Sequence, residues 1–105
     1  MKIIYTDHLK LRMKLRSIPK YLPQEIFEEA AERYHDTMTG HKIAVAIAAI
    51  RGETREYALS FDEIDDRAVL ITIHPIKSAQ KTARVKSGRW RSYEDNRKEQ
   101  AIGKI

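Results

Sequence analysis

The chain predicts an α+β fold: an antiparallel sheet of about four strands, two N-terminal helices on one face, and a basic helix after the last strand. Three observations point there. The runs at 2–5, 41–50, 56–61 and 68–73 are β-branched, aromatic or alternating at period two, as half-buried strands are. Two stretches before Gly40 instead repeat their apolar residues at helical spacing. Finally, the apolar run ending at Ile73 passes directly into a segment, 74–92, that holds six basic residues and no acid.

Each element has its own reason. "KIIY" suits a first strand, and Thr6 with Asp7 can cap a helix over 7–17. Leu9 and Met13 line one side of that helix, while His8, Arg12 and Arg16, four residues apart, share another. Pro19 and Pro23 then interrupt the chain. From Pro23, suited to a first turn, "PQEIFEEAAERYHDTM" sets Ile26, Phe27, Ala30, Ala31 and Tyr34 on one stripe, with acids early where the helix dipole favours them. The second helix is therefore expected to pass through Tyr34. "HKIAVAIAAI" reads as a central strand, its alanines leaving helix open, and "EYALSF" and "AVLITI" complete an antiparallel meander across the turn "RGETR". A last helix is expected from Pro75 to Gly88, with Lys77, Gln80, Lys81 and Arg84 on a polar face and Ile76, Ala79, Ala83 and Val85 turned inward. The competing reading makes "ARVKSGRW" a further strand.

With 105 residues and 42% apolar content the chain can fill one core, expected over 1–92, before a polar tail over 93–105 that is expected to be mobile. It has no cysteine, which excludes disulfides, thiolate catalysis and Cys-type zinc sites. It has no HExxH and no tight histidine pair either, so no metal or other cofactor is expected. No apolar run approaches the roughly 20 residues of a membrane span, and no secretory signal is visible, so a cytoplasmic protein without a membrane partner is expected. The net charge of +5 is unevenly distributed. Residues 1–20 hold six basic groups against Asp7, 21–40 hold five acids against Arg33, 61–73 hold four acids against Arg67, and 74–92 are purely basic. If folding joins the two basic blocks, they form a positive surface suited to phosphates or an acidic protein.

Strand, "TDHLKLRMKLR", a capped amphipathic helix, and three strands ending in "VLITIHPIK" and "RVKSGRW" together resemble the RelE/ParE-like toxin superfamily. A late apolar strand before a Lys- and Arg-rich helix is also similar to BrnT-type toxins. The likeness spans about residues 2–92 and implies a RelE-like fold. It further implies an endonuclease acting on messenger RNA, free or ribosome-bound, or alternatively a gyrase inhibitor, paired with a small acidic antitoxin. No catalytic residue transfers from the resemblance.

The candidate residues follow from chemistry instead. Cleaving RNA without a metal requires a base for the ribose 2′-hydroxyl, cations for the phosphorane, and an acid for the leaving 5′-oxygen. His74, Lys77, Arg84 and Arg89 are the candidates, with His74 as base or acid because it titrates near neutrality at a strand end. The alternative is a histidine that merely packs there. His8, Arg12 and Arg16 are either a second nucleic-acid face or a solvated one. Lys81 and Arg91 extend the basic segment, and Trp90 either stacks on a base between its arginines or covers the sheet as core. A noncatalytic module that binds RNA or an acidic protein stands as the other functional reading.

Overall fold

The structure, a computed structural model, describes residues 1–93; from residue 94 on, the expected tail lies outside the described residues. The elements are β1 (Lys2–Tyr5), α1 (Asp7–Arg16), α2 (Leu22–Glu29), β2 (Glu32–Asp36), β3 (Lys42–Ile50), β4 (Glu53–Ile64), β5 (Arg67–Pro75), α3 (Ser78–Lys86) and β6 (Trp90–Ser92). The class is α+β, but the sheet is larger than expected and mixed. Its six strands run β1-β5-β4-β3-β2-β6, with β1 parallel to β5 and the other pairs antiparallel.

The two extra strands have physical causes. α2 stops at Glu29 because Ala30 turns extended (ψ 130°), and "ERYHD" becomes β2 rather than a continued helix. Tyr34 fits the helical stripe equally well as a strand residue, and pairing with both β3 and β6 settles the matter. The buried Arg33 reinforces the break by donating back to the carbonyl of Phe27. β6 arises because α3 ends at Lys86 and Gly88, at φ 81°, turns the chain back along β2. Both readings of residues 82–92 are thus partly realised, as helix and then strand.

The meander is built as its turns dictate. Arg51 and Gly52 both have positive φ, the type I′ arrangement whose twist matches a two-residue hairpin, here closing Ile50 opposite Glu53. β5 carries one irregularity near Ile71, where its register to β4 shifts between Ser60 and Phe61.

α1 and α2 pack on one face, burying Leu9, Met13, Leu22, Ile26 and Phe27 against Leu59, Phe61, Leu70 and Ile73. Phe27 meets Phe61 edge-on at 5.0 Å. The opposite face carries a smaller cluster of Ile43, Val45, Ala58, Ile76 and Trp90, partly roofed by α3. Here the expected amphipathicity of α3 is reversed. Ile76 is buried, but Ala79, Ala83 and Val85 face solvent, and the helix has no buried residue of its own. Lys81 and Arg84 are its half-buried side chains, drawn inward by partners on the sheet. Pro75 ends β5 instead of opening α3, whose N-cap is Lys77.

One carboxylate holds this second face together. Asp36 is 3% exposed and accepts hydrogen bonds from the amides of Met38 (2.9 Å) and Thr39 (3.3 Å), from Nε and Nη2 of Arg89 (3.2 and 3.1 Å), and from the Trp90 indole (3.2 Å). Burial alone would push this carboxyl up; the Arg89 guanidinium, the two amides and the indole outweigh it and hold it down at about 2.

Replacing Asp36 by Ala strands the Arg89 charge and three neutral donors. Urea unfolding should show a loss of about 3 kcal/mol or more, against a change within about 0.5 kcal/mol for the exposed Arg91→Ala. Because the folded carboxyl binds its proton less readily than the ordinary value of 3.8, its contribution is complete above about pH 4 and falls away toward pH 2. That acid-limb component should be missing in Asp36→Asn.

Candidate functional site

The position of α1 is fixed by where β1 ends. β1 pairs with β5 only from Arg67 to Leu70. At that point the Thr6 amide donates to the Leu70 carbonyl (3.2 Å). The Thr6 hydroxyl lies 3.0 and 3.1 Å from the carbonyls of Leu70 and Ile71 and accepts from the Leu9 amide at 3.1 Å. One residue therefore ends the strand, caps the helix and ties α1 along the rest of β5. Arg12 and Arg16 come to flank the C-terminal end of β5 in this way, while His8 stays exposed.

On the second face, His74 sits opposite Ala58, and Thr72 sits opposite Ser60 one row further along. With Ile43 they floor a concavity of about 310 Å³, walled by Arg84, Arg89 and the Asp36–His41 loop. His74 is half-buried, and burial is the first cause of its depressed pKa. The charges of Arg84, Arg16, Arg12 and Arg89 lower it further. The two basic blocks of the sequence thus converge on this ring. Its neutral, proton-accepting form is the favoured one.

The other predicted residues divide by their partners. Arg84 lies over the Trp90 ring at 5.1 Å and, among the described residues, has no carboxylate partner. Arg89 lines the concavity, but its charge is balanced by Asp36. Lys81 is engaged within the fold: its ammonium bridges Glu56 at 2.7 Å and Glu32 at 3.0 Å, and the Glu56 bond is the first cause of its raised pKa. Lys77 is exposed at the start of α3, outside the concavity, and Arg91 is exposed on β6. Trp90 is 2% exposed and stacked on Tyr34 at 5.4 Å, so the core reading holds and no base has access to its ring.

No local pattern in the sequence singles out His41. It lines the same concavity as His74, with Nδ1 2.9 Å from the Asp62 carboxylate. Ser60 and Thr72 were also missed, being unremarkable polar residues until strand register puts them side by side. A larger hollow of about 640 Å³ lies near the end of α1, lined by Tyr5, Lys10, Lys14 and Lys20 among others. Its tyrosine hydroxyl is occupied, donating to the Lys20 carbonyl and accepting from the Gln24 amide, and it contains no histidine or carboxylate. The histidines are grouped in the smaller concavity instead. Among the described residues no three His, Asp or Glu side chains group to hold a metal ion, and no helix is long and apolar enough to cross a membrane.

In an NMR titration His74 should protonate below the ordinary 6.5, and Arg84→Met should move its midpoint upward. Since the folded state disfavours the charged ring, the stability linked to His74 is fully present above about pH 6.5 and declines as the pH drops through the depressed value. His74→Gln should remove that component.

No family model, curated protein or solved structure matches this chain.

Proposed function

We propose that the chain is a toxin-type endoribonuclease that cleaves messenger RNA without a metal ion, and that a small acidic antitoxin protein neutralises it. The observation that supports this reading is a half-buried histidine, favoured in its neutral form, with arginines from two separate elements acting on it. A neutral imidazole among guanidinium groups suits a base that must act beside a phosphate. His74 takes the proton of a ribose 2′-hydroxyl, and the resulting oxygen attacks the adjacent phosphorus. Arg84 is the cation placed to balance the second negative charge that develops on the phosphorane, because no carboxylate already uses it. Arg89 serves as a fixed donor rather than a free charge, since Asp36 holds it in place. Arg12 and Arg16 raise the local potential and draw the RNA backbone inward. Lys77 and Arg91, exposed outside the concavity, are left to contact phosphates farther along the chain. An acidic segment laid over Arg12, Arg16 and Arg84 would silence the site by occupying the same field.

Purified protein incubated with RNA and with ribosome-bound message, in the presence of EDTA, should cleave in at least one setting. His74→Ala should lower the rate about 10²–10⁴-fold and Arg84→Ala about 10²–10³-fold, with Lys86→Ala unchanged. Binding without cleavage would assign the concavity to a noncatalytic module, and inhibited supercoiling with intact RNA would select a gyrase inhibitor.

The salt dependence of RNA affinity gives a second check. Arg84→Ala should reduce the slope of log affinity against log salt by about 0.7, one single-strand phosphate contact. Lys81→Ala should leave it unchanged, because Glu32 and Glu56 already neutralise that ammonium.

A further inference from the structure

We infer that His41, oriented by Asp62, is the general acid that completes the site, protonating the 5′-oxygen that leaves when His74 has activated the 2′-hydroxyl. The inference rests on the endoribonuclease reading and adds to it a residue that reading lacks.

The geometry provides the argument. An ionised carboxylate only accepts, so the 2.9 Å contact between His41 Nδ1 and Asp62 Oδ1 requires the proton on Nδ1. The contact fixes the ring and leaves Nε2 to act on whatever fills the concavity, which His41 lines together with His74. The neighbour of His41 is a carboxylate, whereas the charges acting on His74 are those of arginines. The two histidines thus stand in opposite electrostatic settings, as a proton donor and a proton acceptor require.

Strand register sets their separation. His74 lies on the row of Ala58, Ser60 pairs with Thr72 on the next row of that face, and Asp62, which holds His41, lies on the row after that. Rows on one face are about 7 Å apart, so the His74 and Asp62 rows lie about 14 Å apart along the strand, and both imidazoles line the concavity that opens over the short Ser60 and Thr72 side chains between them. The loop bearing His41 is rigid for reasons independent of any substrate. Asp36 accepts from its Met38 and Thr39 amides, the Gly40 amide donates to the Asp36 carbonyl (2.8 Å), and the Asp36 amide donates to the His41 carbonyl (2.8 Å).

The step balances without a further reactant. The 2′-oxygen forms a bond to phosphorus as its proton passes to His74; the bond from phosphorus to the 5′-oxygen breaks as that oxygen takes a proton from His41 Nε2. A 2′,3′-cyclic phosphate and a free 5′-hydroxyl are the products.

A substrate whose leaving 5′-oxygen is replaced by sulfur separates the roles, because a thiolate, with a conjugate acid near pKa 8.5, departs without an acid. His41→Ala should cleave native RNA about 10²–10⁴-fold more slowly than the wild type yet cleave the sulfur-bridged RNA within about threefold of it. His74→Ala should be slow on both. Asp62→Asn, which keeps the ring, should show the same selective loss to a smaller degree, and it decides the matter if His41→Ala does not fold. Native cleavage at the wild-type rate in His41→Ala, or equal loss on both substrates, overturns the role of His41 while leaving the ribonuclease reading intact. A wild-type protein that cleaves neither substrate overturns both.

Discussion

The second face of the sheet depends on a single buried charge, the Asp36 carboxylate. A carboxylate that is 3% exposed is tolerated only when its lone pairs are taken, and here five donors take them. Those donors come from two places far apart in sequence. Met38 and Thr39 belong to the loop that delivers His41 to the concavity; Arg89 and Trp90 belong to the return that follows α3. Satisfying one side chain therefore fixes the hairpin loop, seats the tryptophan on Tyr34 and sets the path of β6. Loss of the carboxylate would release both walls of the concavity at once.

α3 has a second electrostatic anchor of the same kind. With no buried apolar residue of its own, this helix cannot be held by an apolar stripe. The Lys81 ammonium instead reaches between Glu32 of β2 and Glu56 of β4, and the guanidinium of Arg84 rests over Trp90. Exposed ion pairs contribute little, but Lys81 and Glu56 are both largely covered, with side chains 20% and 18% exposed, so their contact is screened less. Charge here performs the positioning that burial performs for α1 and α2. Neutralisation also removes Lys81 from the positive field, which leaves Arg84, Arg16, Arg12 and Arg89 as its sources near His74.

The parts of the fold visible in the sequence were those fixed by local signals. The cap at Thr6 and the strands β1, β3 and β5 follow from neighbouring residues and lie close to where they are expected. The expected turn over 51–55 narrows to Arg51 and Gly52, and β4 runs beyond the expected 56–61, from Glu53 to Ile64. β2 was not legible in this way, because Ile26, Phe27, Ala30 and Tyr34 fit a helical stripe as well as they fit a helix followed by a strand. Only pairing with β3 and β6, a long-range matter, separates the two. The inward face of α3 failed for a related reason: hydropathy places alanine inside and lysine outside unless a carboxylate pair waits on the sheet, and no local pattern announces Glu32 beside Glu56. His74, Arg84 and Arg89 were legible because a strand end and an acid-free basic run mark them. His41 was not, since its partner Asp62 lies 21 residues away and becomes a neighbour only through the register of β3 on β4.

The same dependence on register bears on what the concavity can accept. Its floor consists of short side chains, Ser60, Thr72 and Ile43, and its walls carry two guanidinium groups in different states. Arg89 presents N–H donors whose charge is already balanced; Arg84 presents charge that no carboxylate offsets. A site of this kind discriminates by the amount of negative charge at one point rather than along a track. An oxygen that gains charge near Arg84 is stabilised, while Arg12 and Arg16 act from the flank of β5. On the proposed reading, affinity for ground-state RNA is modest and the field acts mainly on the phosphorane, which carries one negative charge more than the phosphodiester it replaces. The ion pairs that hold α3 and β6 in place also balance the charges of Lys81 and Arg89.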